Sequence, residues 1–99
     1  MIVSFKNGGT EDIFNGKNTK RARRICPVHI WKIARRKLDQ IDSAVLIQDL
    51  TIPQGNKLEL LAGDRKGQYS IRINDQYRIC FEWKNNGAES VEIVDYHKG

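Results

Sequence analysis

The chain lacks the features that define several large classes of protein. It contains only two cysteines in 99 residues, Cys26 and Cys80, and no C-x-x-C motif or paired histidines. We therefore expect neither a disulfide framework nor a zinc site. No apolar run is long enough to span a bilayer, and Met1–Phe5 is too short and too weakly basic for a signal peptide. These absences predict a single cytoplasmic domain over residues 1–99, without a membrane partner, metal or cofactor.

Acidic residues are missing from one long segment of the chain. The net charge is +5, from 17 basic and 12 acidic residues, yet residues 17–37 contain nine bases and no acid. Such a segment attracts polyanions and accelerates their capture. We predict a surface for RNA, DNA or an acidic partner, with a solvated helix face as the alternative. The bases assigned to RNA or phosphate binding are Lys20, Arg21, Arg23, Arg24, Arg35 and Arg36.

The first half of the chain has mostly helical periodicity. Ile2–Lys6 alternates weakly and predicts a first strand, which the two following glycines end, and Thr10–Phe14 predicts a short helical turn capped at Thr10. Residues 15–24 are polar, basic and poor in apolar anchors, so we predict a mobile loop there. From Val28 onward apolar residues recur at helical spacing to about residue 50, with a break near residues 42–43.

The second half of the chain changes to a period of two. Alternation and turn residues predict strands at residues 57–61, 68–73, 77–83 and 88–95. Helices first and hairpins later indicate an α+β domain with an antiparallel sheet. We predict that the N-terminal strand and two helices pack on this sheet.

Alternation along these strands separates a core face from a polar face. The core face receives Tyr69, Ile71, Ile73, Tyr77, Ile79, Phe81, Trp83, Val91 and Ile93. The polar face receives Ser70, Arg72, Arg78, Cys80, Glu82, Glu92, Val94 and Tyr96. Arg72 and Arg78 on neighbouring strands would lie about 5 Å apart, and a phosphate between them would relieve their repulsion. The alternative is that Glu82 and Glu92 pair with the two arginines in an ordinary surface network.

Three adjacent side chains at the end of the last strand suit proton transfer. Asp95, Tyr96 and His97 supply a carboxylate, a phenol and an imidazole. Histidine titrates near neutral pH, whereas tyrosine acts as a base only if cations lower its pKa, and Arg72 and Arg78 are placed to do so. The alternative for each residue is a frayed, packed or solvated side chain.

The second half of the chain also resembles a known family. The motifs are G-D-R-K-G-Q-Y-S-I-R-I at residues 63–73, Y-R-I-C-F at residues 77–81 and D-Y-H at residues 95–97. Their order and spacing resemble the HigB branch of the RelE-like toxins, the killer proteins of bacterial toxin–antitoxin systems. The resemblance covers residues 38–97, and the opening Met1–Phe5 is also typical of the family.

The resemblance implies a function and its partners. It implies a ribosome-dependent, metal-free endoribonuclease that cleaves messenger RNA and inhibits translation, with ribosomal RNA as part of its binding surface. It also implies a HigA-type helix-turn-helix antitoxin as partner. The resemblance implies that the toxin contacts operator DNA only through this antitoxin. The implied catalytic residues are Asp95, Tyr96, His97, Arg78 and, by position, Glu59; the implied phosphate-binding residues are Arg65, Arg72 and Lys57.

Two positions depart from the family pattern. Some relatives read K-L-H where this chain reads K-L-E at residues 57–59, and some carry a base where Ala62 stands. Glu59 is then a substitute acid or base, or the partner of Lys57 in a salt bridge. The alternative functions are a weakly or non-catalytic inhibitor that binds RNA or the ribosome, and a co-repressor acting with the antitoxin. The basic segment binds either the ribosome or the antitoxin.

Overall fold

The chain folds into an antiparallel sheet and a layer of helices. The computed structural model describes residues 1–96, in which the sheet has four strands in the order β1-β2-β3-β4, each antiparallel to its neighbour. The helices are α1 (Gly8–Phe14), α2 (Lys20–Ile25) and α3 (Trp31–Ser43). The strands are β1 (Glu59–Leu60), β2 (Gln68–Arg72), β3 (Tyr77–Lys84) and β4 (Gly87–Asp95). This architecture confirms the predicted α+β class.

The N-terminal segment lies beside β4 and runs parallel to it. Ile2 bridges to Ala88 and Phe5 to Val91, and the Val3 N–H donates to the Ala88 carbonyl at 2.7 Å. The predicted first strand is therefore present as two isolated bridges rather than as a continuous strand. Because these bridges are parallel, this edge of the sheet departs from the antiparallel pattern of the rest.

The two glycines after this segment begin a helix instead of simply ending a strand. The Asn7 side chain accepts from the Thr10 N–H at 2.9 Å, so Asn7, not Thr10, caps α1. A Cβ on Gly9 would approach the Arg21 carbonyl oxygen to 2.7 Å. Glycine is therefore required because α1 and α2 pass each other at close range.

Residues 20–25 form α2, so the prediction of a mobile loop over 15–24 was wrong. The Thr19 hydroxyl caps α2 by accepting from the Ala22 N–H at 3.1 Å, and it donates to the buried Asp12 carboxylate at 2.6 Å. Arg21 donates to the same carboxylate through Nε at 2.6 Å and Nη2 at 3.0 Å. Bonds from Arg21 and Thr19 lower the pKa of Asp12 from 3.8 to about 2. The helix thus depends on a contact with α1 that local apolar spacing does not reveal.

Helix α3 packs on the core face of the sheet. Its buried side chains are Trp31, Ala34, Leu38 and Ile41, and they join the sheet residues Ile71, Ile73, Tyr77, Ile79, Phe81, Val91 and Ile93 in one core. Their spacing matches the helical period, and the predicted break is confirmed because α3 ends at Ser43. In residues 1–96, no helix has both the length and the apolar character needed to cross a membrane.

A buried asparagine holds the segment between α3 and the sheet in place through hydrogen bonds. Asn56 is fully buried, donates to the Gln40 side chain at 3.0 Å and to the Leu50 carbonyl at 3.1 Å, and accepts from Lys37. The next residue, Lys57, has a left-handed backbone with φ of 46°. This turn leads into β1 and places Glu59 at the edge of the sheet.

Candidate active site

Several residues of the predicted site lie on the face of the sheet that points away from the helices. Backbone pairing aligns Glu59, Ser70, Cys80 and Glu92 across the four strands. The next row aligns Arg72, Arg78 and Val94. Side chains alternate between the faces of a strand, so both rows lie opposite the core, as the alternation predicted.

Arg78 contacts both the edge strand and Tyr96 on this face. Its Nη1 donates to Glu59 Oε1 at 2.9 Å, and its Nη2 donates to the Lys57 carbonyl at 2.7 Å. Its Cζ lies 5.5 Å from the ring centroid of Tyr96, in cation–π range. The guanidinium therefore has a defined position between the edge strand and the C-terminal tyrosine.

Each arginine of this face pairs with a different carboxylate. Arg72 pairs with Asp75, Arg78 with Glu59, and Arg65 with Glu92 at 3.1 Å. The predicted alternative, with Glu82 and Glu92 as partners of Arg72 and Arg78, was wrong. Glu82 instead pairs with Lys84 at 3.0 Å, and Glu92 also pairs with Lys6 at 3.3 Å. Glu59 pairs with Arg78 rather than with Lys57, whose contribution to this contact is its backbone carbonyl.

Tyr96 is held at its backbone and at its ring. Its N–H donates to the Gln76 carbonyl at 2.7 Å, and Arg78 lies over the ring. Burial, with the neighbouring Cys80, raises the pKa of Tyr96, although Arg78 and Arg65 act in the opposite direction. Arg78 thus lowers the pKa of Tyr96 as expected, but burial outweighs it and the pKa rises overall, so the phenol stays protonated at neutral pH.

Asp95 lies apart from this group. Its Cα pairs with that of Tyr77, a core-face residue, so its side chain leaves the strand on the opposite face from Tyr96. The carboxylate accepts from the Gln76 side chain at 3.1 Å. Gln76 thus links Asp95 to the backbone of Tyr96. His97, the third residue of the predicted trio, lies outside the described residues.

Ser70 and Cys80 belong to this face but were left out of the predicted site. Both are fully buried, although alternation alone suggests an exposed polar surface. Burial raises the pKa of the Cys80 thiol, which makes it a poor nucleophile. Within residues 1–96, Ser70 Oγ and Arg78 Nε are buried without a hydrogen-bond partner. Each such atom costs about 1–3 kcal/mol, so buried polar atoms without a partner are few in folded proteins. Their position in the strand register is the sequence signal that could have found them.

The predicted basic surface lies on the other layer of the molecule. Some of its bases have structural partners: Arg21 binds Asp12, Arg23 binds Asn18, Arg35 binds the Ile13 carbonyl, and Lys37 binds Asn56. Others are exposed on the helix layer: Lys17, Lys20, Arg24, Lys32 and Arg36. Because the helices cover the core face of the sheet, these bases and Arg78 lie on opposite sides of it. In the described part of the chain, no cluster of histidine, cysteine and acidic side chains suits a metal ion.

Comparison with known proteins decides the family. The model of the RelE-like toxin of type II toxin–antitoxin system HigB matches residues 3–97. The chain belongs to the HigB family. Toxin HigB-1 of Vibrio cholerae is 39% identical over 98 residues, covering 99% of each chain. Endoribonuclease HigB of Proteus vulgaris is 34% identical over 97 residues, covering 98% of this chain and 100% of the relative.

A solved structure supports the same fold. The YoeB–YefM complex from Staphylococcus aureus contains a chain that superposes with a TM-score of 0.55 at 17% identity, covering 93% of this chain and 95% of that one. The likeness confirms the fold class. The HigB match extends the resemblance from residues 38–97 almost to the N-terminus. This chain is therefore a toxin of a type II toxin–antitoxin system, and its partner is an antitoxin.

Proposed function

We propose that this HigB toxin is an endoribonuclease that cleaves messenger RNA on translating ribosomes in the cytoplasm and thereby arrests translation. The single observation that carries the proposal is the sheet face on which Arg78 is fixed against the ring of Tyr96. A cation beside a protonated phenol offers charge stabilisation and a proton in the same place. The relative from Proteus vulgaris bears the name of an endoribonuclease, which favours the same reaction.

The reaction is an attack of the RNA on its own backbone. The 2′-oxygen forms a bond to phosphorus while a base takes its proton, and the bond from phosphorus to the 5′-oxygen breaks. The leaving 5′-oxygen takes a proton from an acid. The products are a 2′,3′-cyclic phosphate and a 5′-hydroxyl, and no metal ion is required. Only RNA carries the 2′-hydroxyl, so the reaction excludes DNA.

Tyr96 is the proposed acid of this reaction. A tyrosine is protonated at neutral pH, and burial raises the pKa of Tyr96 further, so the phenol can donate to the leaving 5′-oxygen. The base is then assigned to His97, whose side chain type titrates near neutral pH. Glu59, beside Arg78, is the second candidate for the base. Asp95 acts indirectly, because it binds Gln76, whose carbonyl anchors the Tyr96 backbone.

The arginines of the sheet face are proposed to bind the scissile phosphate. Arg78 and Arg65 would balance the charge that develops on the phosphorane, and Arg72 and Lys57 would contact the neighbouring backbone. The phosphate must replace their carboxylate partners. Glu59 is 53% exposed and Asp75 is 97% exposed, whereas Glu92 is only 13% exposed and binds two cations. We therefore expect Arg78 and Arg72 to exchange their carboxylate partners for the phosphate more readily than Arg65 does.

The exposed bases of the helix layer are proposed to bind ribosomal RNA. They lie opposite the sheet face, so the protein can contact the ribosome on one side and the messenger on the other. An acidic segment of the antitoxin is the competing ligand for the same surface. We propose a HigA-type helix-turn-helix antitoxin, through which the toxin is brought to operator DNA.

The proposal is tested by mapping messenger cleavage in a reconstituted translation reaction. Primer extension and end-group analysis compare the wild type with Tyr96→Phe and His97→Ala. We expect cuts at ribosome-occupied codons, with cyclic phosphate ends, that disappear in both variants. Tyr69→Phe is the matched control, because Tyr69 stacks on Phe81 on the core side of the sheet. Translation arrest with intact messenger, unchanged in the variants, would instead indicate an inhibitor that binds without cutting.

A further inference from the structure

The N-terminal segment adds a cation to the polar face of the sheet. The Lys6 N–H donates to the Val91 carbonyl at 2.9 Å, one residue beyond the bridge between Phe5 and Val91. Phe5 packs against the core, so side-chain alternation turns Lys6 towards the opposite face. Its ammonium lies 3.3 Å from Glu92 Oε2. Lys6 therefore shares a face with Arg78, although the motifs of the second half of the chain do not include it.

Two cations share one carboxylate oxygen at this corner of the face. Glu92 Oε2 contacts Lys6 Nζ at 3.3 Å and Arg65 Nη1 at 3.1 Å. A single negative charge meets two positive charges, so the corner stays cationic. Arg65 also donates to the Gln68 side chain at 3.0 Å and is 30% exposed, whereas the Lys6 side chain is 56% exposed. Lys6 is thus the cation that is available to another anion.

Lys6 can leave Glu92 without leaving this carboxylate unpaired. Glu92 is only 13% exposed, and a carboxylate so little exposed is costly without a cation. Arg65 still contacts it after Lys6 has left. A lysine carries its charge on a flexible four-carbon stem, so the ammonium can turn to a new partner while the backbone stays bound to Val91. The exchange of Glu92 for a phosphate is therefore easier for Lys6 than for Arg65.

Lys6 lies too far from Arg78 to bind the same phosphate. β4 separates β3 from the N-terminal segment, so the backbones of Lys6 and β3 lie two strand spacings, about 10 Å, apart. Arg78 extends in the opposite direction, to the Lys57 carbonyl beside β1. Arg65 reaches Glu92 on β4, between the two. Arg78, Arg65 and Lys6 thus form a cation track across the strands, from the β1 edge to the N-terminal segment.

We propose that Lys6 binds a phosphate of the messenger that neighbours the scissile one, at the end of the cation track. The inference deepens the proposed nuclease function and rests on it. The ligand is the RNA backbone, so Lys6 contributes affinity and alignment but no preference for a base. Lys6 touches none of the reacting atoms, and its loss should therefore weaken substrate binding while the chemical step is kept.

The first test measures binding to ribosomes whose messenger carries a 2′-deoxynucleotide at the cleavage position. Such a messenger cannot be cut, because the attacking hydroxyl is missing. We expect Lys6→Ala to raise the Kd by about 3- to 10-fold, between the effect of an exposed ion pair and that of a hydrogen bond to a charged group. Lys6→Arg should restore the affinity. With natural messenger, KM should rise by the same factor and kcat should stay within about twofold.

The second test removes the charge from the RNA instead of the protein. A neutral methylphosphonate replaces one phosphate at a time around the cleavage position, and the Kd is measured for each messenger. The wild type should lose affinity at the scissile phosphate and at one neighbour. Lys6→Ala should keep the first loss and lack the second. Each protein is compared with itself, so an effect of the substitution on folding does not enter the comparison.

Lys84→Ala is the matched control. Lys84 also pairs with one glutamate, Glu82 at 3.0 Å, and its side chain is 59% exposed, but it ends β3 at the hairpin. It should behave as the wild type in both tests. The assignment of Lys6 is overturned if Lys6→Ala still loses affinity at every phosphate where the wild type does, or if Lys84→Ala gives the same result as Lys6→Ala. Failure of the wild type to cut any messenger would instead overturn the proposed function.

Discussion

The sheet face and the helix layer both carry many bases, but they use them differently. On the sheet face, Arg65, Arg72 and Arg78 each contact a carboxylate. On the helix layer, Lys20, Arg24 and others are exposed in a segment that contains no acid. Pairing orders an arginine at a defined position, whereas isolation leaves it free to attract distant anions. The first arrangement suits chemistry at one phosphate, and the second suits capture of a large polyanion.

The strongest test of this comparison is within the sheet face itself. Arg72 and Arg78 are backbone partners, but only Arg78 contacts Tyr96. Removal of one transition-state donor typically costs about 10²–10³ in kcat. We expect Arg78→Ala to lower the cleavage rate by that factor. Arg72→Ala should lower the cleavage rate by about tenfold or less, since Arg72 pairs with the exposed Asp75. Single-turnover cleavage rates measure both, and equal losses would contradict a special role for Arg78.

A smaller effect is expected from the helix layer. Arg24→Ala combined with Arg36→Ala should weaken ribosome binding and reduce its salt dependence. The logarithmic slope should fall by about 0.7 for each phosphate contact removed, if the contacts are to single-stranded RNA. Sedimentation binding between low and moderate salt measures the slope, with Lys84→Ala as control because Lys84 lies on the far end of β3 and pairs with Glu82. An unchanged slope would assign the surface to the antitoxin.

The smallest effect concerns the contact that orders the helix layer. The pKa of Asp12 falls from 3.8 to about 2 on folding, so the unfolded chain binds more protons between these values. The contribution of ionised Asp12 to the free energy of unfolding is therefore complete above about pH 4 and disappears as the pH falls through about 2. Urea denaturation of the wild type and Asp12→Asn should show a stability difference at pH 5 that shrinks towards pH 2. A difference that does not vary with pH would contradict an ionised Asp12–Arg21 pair.

Regular elements with their own periodicity were predictable from the sequence. The strand predicted over residues 77–83 is observed as Tyr77–Lys84, and that over residues 88–95 as Gly87–Asp95. Strand alternation also placed Arg78 and Tyr96 on one face, since side chains of period two must segregate. Helix α2 was missed because its order comes from Asp12, on the preceding helix, nine residues before Arg21. No local pattern encodes such a contact.

By itself, the sequence determined the family, the fold class and the side chains that share the polar face, because motifs and periodicity are properties of the chain. Only the tertiary structure decided which carboxylate meets which arginine. It joined Arg78 to Glu59, 19 residues earlier, by pairing β1 beside β2. It also decided the direction in which the pKa of Tyr96 moves, because burial raises this pKa more than the nearby arginines lower it. Desolvation depends on everything packed around a group, and that packing exists only once the sheet has formed.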